Sequence, residues 1–221
     1  MKGKLITFEG CEGCGKSTQV LKLKEYLTQT GQDFIITREP GGTEISEKIR
    51  SVILGKENSA MVDECEALLY AASRCQLLKE KVLPALEQGK LVIIDRYYDS
   101  SFAYQAYARG LGYDFVSAAN KFALDNAVPD ITIFLDFDPE HAFIRKGGAD
   151  KTDRLELAGI EFHKRVYDGY KALAQKFPER FEQIDASKQI DQVHNSIISV
   201  LKEKGLIKWE SWLVKHLPIK L

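Results

Sequence analysis

The stretch GCEGCGKS, Gly10 to Ser17, carries the residue types of two different chemistries. Cys11 and Cys14 form a Cys-x-x-Cys pair, the spacing of a redox thiol couple or of half a zinc site. Gly10, Gly15, Lys16 and Ser17 form Gly-x4-Gly-Lys-Ser, the spacing of a phosphate cradle. A zinc ribbon needs a second close pair, but Cys65 and Cys75 are separated by nine residues and no nearby His completes a set. A cradle needs a strand before it and a helix after it, and the chain supplies apolar KLITFE on one side and a helical pattern from Lys16 on the other. Gly10, Gly13 and Gly15 free the backbone to curl, so that successive N–H groups point into one concavity and the helix adds its positive end. In that reading Lys16 reaches the outer phosphates of a nucleotide and the Ser17 hydroxyl ligates a bridging Mg²⁺. Cys11 and Cys14 then occupy variable slots, with Cys14, at a helix N-terminus, expected to have a lowered pKa and to be open to modification.

The elements that must hold such a cradle are legible around it. Five short runs rich in Ile, Val, Leu and Phe (KLITFEG, DFIITREP, KLVIIDRY, DITIFLDF and FEQIDA) recur between helical stretches. Near-continuous apolar strands separated by amphipathic helices predict a parallel sheet covered on both faces, a doubly wound α/β sandwich with right-handed crossovers. Helices are expected over Lys16–Thr30, Thr43–Leu54, Val62–Glu87, Ser100–Ala108, Asp114–Leu124, Pro139–Lys146, Leu155–Phe177 and Ile190–Lys204. Such sheets bind ligands at the carboxyl ends of their strands. The cradle, Arg38 to Thr43, Asp95-Arg96-Tyr97 and Asp136 all fall on that edge. At 221 residues one domain is the expectation, here residues 1 to 205 with a C-terminal extension over 206–221.

Bulk charge narrows the partners. With 31 Lys+Arg against 32 Asp+Glu there is no field to draw the whole chain to nucleic acid or to an acidic membrane, so an anion site has to be local. No segment approaches the roughly 18 uncharged apolar residues of a membrane span, and the N-terminus lacks the pattern of an export signal. A cytoplasmic protein with four reduced cysteines is expected.

Beyond the cradle, four further motifs follow in order: TREPGGT (Thr37 to Thr43), LLYAASR (Leu68 to Arg74), DRYYDSSFAYQ (Asp95 to Gln105) and LDFDPEHA (Leu135 to Ala142). With GCEGCGKS they resemble thymidylate kinase, and the similarity runs from Lys4 to about Leu201. The resemblance implies the fold of P-loop nucleotide kinases and transfer of the γ-phosphoryl of ATP to dTMP, with Mg²⁺ alongside ATP. It implies that Gly10, Cys11, Glu12, Gly13, Cys14, Gly15, Lys16, Ser17 and Thr18 line the ATP phosphates. Asp95 and Arg96 end an apolar strand beside the cradle, where a carboxylate organises Mg²⁺ with Ser17 and a guanidinium grips phosphate bidentately. By resemblance Arg96 holds the acceptor phosphate, and Glu12 accepts a hydrogen bond from the deoxyribose 3′-OH. Tyr70 and Arg74 lie four apart on one helix face, a spacing that core packing and a solvated charge also produce. The resemblance makes them the base-stacking ring and the donor to thymine O4. Ser101 or Gln105 would meet the pyrimidine edge and Tyr104 would crowd the sugar 2′ position. Ser100, equally a helix cap, joins Glu39 and Pro40 in the expected dTMP set.

The segment RKGGADKTDRLE, residues 145 to 156, sets Arg145, Lys146, Lys151 and Arg154 around a Gly-Gly pair and reads as a lid or as a solvated charged loop. Some members of the family carry an arginine within the cradle and others supply the cation from the lid; with Gly at position 13 this chain resembles the second group. Arg154, then Lys146 and Arg145, are the expected lid cations. Asp185 to Gln189 match a region that contacts adenine in relatives. In the tail, Trp209, Trp212, Leu213 and Leu217 are spaced for one apolar helix face. The family resemblance also implies a homodimer packed through helices, the long Val62–Glu87 helix among them. Two rival functions fit the cradle alone: a kinase for another nucleoside monophosphate or small metabolite, and a nucleotide-switched binding protein.

Overall fold

The computed structural model describes residues 3–145, 154–155 and 158–208. Its five strands are β1 (Lys4–Glu9), β2 (Phe34–Arg38), β3 (Leu91–Asp95), β4 (Ile131–Asp136) and β5 (Phe181–Asp185). They form one all-parallel sheet in the order β2-β3-β1-β4-β5. Side chains alternate across a strand, so each apolar run feeds two cores. Leu5, Val92, Ile94 and Phe134 pack on one face, while Ile6, Phe8, Ile93, Ile133 and Leu135 pack on the other. Each such fully buried side chain contributes roughly 1.5–3 kcal/mol.

Helices α1 (Lys16–Gln29) and α10 (Ile190–Glu203) cover the second face through Leu23, Leu27, Ile197 and Leu201. The chain then continues across α1, where Leu206 and Ile207 are buried and Tyr26 Oη donates to the Lys208 carbonyl at 3.0 Å. The expected extension over 206–221 therefore begins docked on the body; Trp209, Trp212, Leu213 and Leu217 lie outside the described residues. On the first face lie α3 (Asp63–Leu77), α4 (Leu83–Glu87) and α9 (Ile160–Lys176), and α2 (Glu44–Leu54) packs on α3.

Several helices depart from expectation for identifiable reasons. The stretch expected over Val62–Glu87 contains a wide turn at Leu78–Val82. Pro84 stands in the first turn of α4, where it lacks an N–H and crowds the carbonyl four residues back, so the ladder shifts by one residue. The helix expected over Ser100–Ala108 starts earlier, as α5 (Tyr98–Ser101), and widens over Phe102–Ala108. That expected over Asp114–Leu124 is two pieces, α6 (Tyr113–Ala119) and α7 (Lys121–Asn126), broken at Asn120. The break leaves the Asn120 side chain 3% exposed and facing Arg74. Helix α9 begins at Ile160 rather than Leu155 because Gly159, at φ 81°, turns the chain ahead of it. Helix α8 (Pro139–Arg145) falls within its expected span.

Candidate active site

The centre of the sheet sets the geometry of the site. β1 lies between β3 and β4, and the chain continues past β3 through Arg96 N, which donates to the Phe8 carbonyl at 2.9 Å; Glu39 N donates to the Asp95 carbonyl at 3.0 Å. The carboxyl ends of β1, β2 and β3 are thus pinned side by side. From β1 the chain curls through Gly10, Gly13 and Gly15, all at positive φ, into the N-terminus of α1. Gly10 is obligatory there: a Cβ would stand 2.8 Å from both Cys14 Sγ and the Leu135 carbonyl oxygen. Gly15 occupies the N-cap without a side-chain cap, so the first amides of α1 keep no side-chain acceptor of that kind. Lys16 is buried, its Nζ donating to the carbonyls of Gly10 (3.0 Å) and Cys11 (2.9 Å). Ser17 Oγ donates to Asp95 Oδ2 at 3.3 Å.

Both thiols are buried at this edge. Cys11 is 1% and Cys14 2% exposed, and burial, helped by the neighbouring Cys14, pushes the Cys11 thiol up to about 12. Among the described residues, no group of three or more His, Cys, Asp or Glu stands where it would hold a metal. Burial also corrects the expectation that Cys14 is open to modification, since its sulfur is packed against Gly10 and lies 3.7 Å from Lys16 Nζ.

Two pockets meet at this edge. A cleft of about 530 Å³ is lined by Glu12 to Gln19, Asp95, Arg96 and Arg145. A second pocket is lined by Glu12, Glu39, Pro40, Tyr70, Arg96, Ser100, Ser101, Tyr104 and Gln105, every residue expected around the acceptor except Arg74. Glu12, Glu39, Arg50 and Arg96 line both. Arg96 stands at the junction in a left-handed backbone conformation, φ 66°, rare for a side chain with a Cβ and characteristic of sites where orientation is fixed at a cost. Its Nη1 donates to the Gly10 carbonyl (3.0 Å), Tyr170 Oη (3.2 Å) and Ser100 Oγ (3.4 Å), and its Nη2 to Glu12 Oε2 (3.1 Å). The Tyr104 ring lies beneath it, centroid 5.3 Å from Cζ.

Two of the expected arginines are placed elsewhere. Arg74 is 1% exposed: Nε and Nη2 meet Glu39 Oε2 at 2.7 and 2.6 Å, and Nη1 donates to Ser101 Oγ (3.0 Å) and Asn120 Oδ1. Burial pushes Glu39 up to about 7 even against this guanidinium. Arg154 is not brought to the cradle. Its Nη2 pairs with the fully buried Glu66 carboxylate, which also takes Arg109 (3.0 Å) and Gln105 (2.8 Å), and its Nε donates to the Ile53 carbonyl at 3.2 Å. The expected lid cation beside the cradle is instead Arg145, whose Nη2 donates to the Gly13 carbonyl. Lys146 lies outside the described residues.

The pockets add residues that the motifs did not single out, Arg50, Leu54, Leu155 and His163 around the acceptor side and Ile190 and Val193 around the cleft, where Arg38 and, from the Asp185–Gln189 segment, Ala186 and Lys188 also stand. Arg50 carried a signal, since it lies two turns into the helix that follows TREPGGT. His163 and Leu155 carried none. Six cations (Lys16, Arg38, Arg50, Arg96, Arg145 and Lys188) line the cleft against three carboxylates, which makes a local positive field in a chain whose net charge is −1.

Comparison with known proteins gives the same answer from whole-chain similarity. The family model described as thymidylate kinase matches residues 8–197. A thymidylate kinase of Thermoanaerobacter sp. (strain X514) is 48% identical over 203 residues, covering 92% of this chain and 99% of the relative. One of Bacillus velezensis is 48% identical over 205 residues, covering 92% and 97%. Among solved structures, the crystal structure of thymidylate kinase from Ehrlichia chaffeensis superposes with a TM-score of 0.75 at 32% identity, covering 91% of this chain and 100% of that one. With its cradle, its junction arginine and its second pocket in the order that the motifs specify, the chain belongs to the thymidylate kinase family.

Proposed function

We propose that the protein transfers the γ-phosphoryl group of ATP to dTMP, giving dTDP and ADP. The observation that carries this reading is the meeting of two pockets at Arg96 and Glu12, one on the cradle and one lined by a ring, hydroxyls and an amide. ATP lies along Gly10 to Thr18 with its β- and γ-phosphates against the cradle amides and Lys16. dTMP enters the second pocket with its base against Tyr70 and its phosphate on Arg96, while Glu12 takes the sugar 3′-OH. Ser17 and Asp95, paired hard oxygen donors at the mouth of the cradle, fit Mg²⁺, which when bound neutralises charge on the β- and γ-phosphates. The acceptor oxygen attacks phosphorus in line and is already ionised near neutral pH, so the protein's work is alignment and charge compensation without a general base. On the donor side Arg145 is the described lid residue in position to add charge. Tyr104, under Arg96, limits room at the sugar 2′ position.

We further propose a cytoplasmic homodimer. The groove between α3 and α7, lined by Leu68, Ala71, Ala72, Phe122 and Ala123 with Leu68 53% exposed, supplies an apolar face for helix packing. Sedimentation at micromolar concentration tests the dimer. The activity is tested by offering dTMP, dUMP, UMP, CMP and AMP in a coupled ADP assay, where dTMP is expected to be phosphorylated best. Equal rates with UMP or CMP would point to a different kinase, and ADP release at the same rate without any acceptor would point to a nucleotide switch.

A further inference from the structure

Beneath Arg96 lies a buried carboxylate to which the motifs gave no role. Glu9, the last residue of β1, is fully buried, and four donors converge on it. Oε1 takes the backbone amides of Tyr97 (2.7 Å) and Ser100 (3.3 Å). Oε2 takes the hydroxyls of Ser100 (2.6 Å) and Tyr170 (2.8 Å), which are themselves 2.8 Å apart. Those same two hydroxyl oxygens accept from Arg96 Nη1. We propose that the Glu9 carboxylate positions the Arg96 guanidinium through the hydroxyls of Ser100 and Tyr170, and that protonation of Glu9 loosens Arg96 and slows transfer.

Three oxygens, Glu9 Oε2, Ser100 Oγ and Tyr170 Oη, share the protons that set this link. With Glu9 ionised, both hydroxyl protons point at Oε2, and the lone pairs of Ser100 Oγ and Tyr170 Oη, polarised by the carboxylate, face Arg96. A proton on Glu9 closes the ring from Oε2 to Ser100 to Tyr170 and back. Each hydroxyl then spends a lone pair inside the ring, and the counter-charge behind Arg96 is gone. The groups facing Glu9 from neighbouring elements are Arg96 and Asp99 from the β3–α5 segment, Tyr170 from α9 and, farther off, Glu39 beyond β2. Asp99 is itself held by Arg180 at 2.6 and 2.7 Å. Burial first and Asp99 second push Glu9 up to about 7, so the change falls in the working pH range. The opposite effect, relief of repulsion between Glu9 and an incoming phosphate, is the weaker one. Glu9 lines neither pocket and four donors already face its charge, whereas the lost anchor acts on Nη1 at direct hydrogen-bond distance.

The inference rests on Arg96 gripping the acceptor phosphate, so Arg96→Ala is measured alongside. The turnover number with both substrates saturating, followed from pH 6 to 8.5, reads the bound complex rather than titration of free dTMP. In the wild type it is expected to fall about fivefold between pH 8 and pH 6. Glu9→Gln, an amide in place of the carboxylate, is expected to be about tenfold slower at pH 8 and to lose that dependence. Tyr170→Phe keeps the carboxylate but removes one link, and is expected to lower turnover severalfold with the KM for dTMP changed less than twofold. Normal turnover in Arg96→Ala would overturn the reading of Arg96 and this inference with it. Collapsed turnover there, together with wild-type rates and pH profiles in folded Glu9→Gln or Tyr170→Phe, would overturn the inference alone.

Discussion

Arg74→Ala tests how the site is built, because the structure changes what this substitution should do. A base-contacting arginine on a helix face would cost acceptor affinity and little stability. The observed Arg74 is 1% exposed and is the partner of a buried carboxylate, with Glu39 Oε2 at 2.6 and 2.7 Å from two of its nitrogens. Removing one member of a buried pair typically costs about 3–5 kcal/mol, because the other charge is stranded. Glu39 has an escape, which is to take up a proton. Its folded-state carboxyl, already raised from 4.5 to about 7, moves higher still without the guanidinium. A carboxyl raised on folding binds its proton more tightly in the native state, so stability falls as pH rises through the folded value. The deficit of Arg74→Ala should therefore grow between pH 6 and pH 9. At the acid end what remains is the cavity and the lost bonds to Ser101 and Asn120, roughly 2 kcal/mol. At the alkaline end the stranded charge brings the loss to about 4 kcal/mol, or on the order of 10 °C in Tm for a chain of this size. Urea unfolding at pH 6, 7.5 and 9, with dTMP titrations on the same samples, measures both effects. Glu39→Gln in the same background should recover part of the alkaline loss. A deficit that is constant across pH, or an unchanged Tm, would refute the reasoning.

Two other expectations are simpler. Lys16→Ala should lower turnover by about 10³-fold or more, as loss of a group that compensates transferred charge does, with Tm within a few degrees of wild type; near-normal ADP formation in the coupled assay would contradict the role of the cradle. Glu9→Gln should flatten the pH dependence of stability. Because Glu9 rises from 4.5 to about 7 on folding, the wild type loses about 3 kcal/mol between pH 4.5 and pH 8 through this group, and the neutral amide should lose that much less over the same range when unfolding free energies are compared.

How much of this was written legibly along the chain depends on the distance over which each feature is encoded. The cradle is local: three glycines, a lysine and a serine within eight positions dictate the curl, and the strand before it and the helix after it follow from periodicity. Strand order is encoded only through packing, yet the ligand edge could be placed without it because all strands run parallel. The helix irregularities were partly visible. Pro84 announces the wide turn before α4, whereas the break at Asn120 is decided by the demand of Arg74, 46 positions away, for a buried acceptor.

The same contrast explains why Arg145, rather than Arg154, stands beside the cradle. Composition makes Arg145 and Arg154 equivalent, two arginines at the ends of one basic segment. What separates them is Glu66, 88 positions upstream of Arg154, a carboxylate on α3 whose burial no local pattern reveals. A buried charge must be paired, so Glu66 draws Arg109 and Arg154 to itself and leaves Arg145 beside Gly13. Glu9 follows the same rule with hydroxyls in place of arginines. It ends an apolar strand immediately before the cradle, the one local hint that its carboxylate faces inward. In both places a residue expected at the substrates is held by a buried acid outside the quoted motifs, Gln105 by Glu66 directly and Arg96 by Glu9 through the hydroxyls of Ser100 and Tyr170.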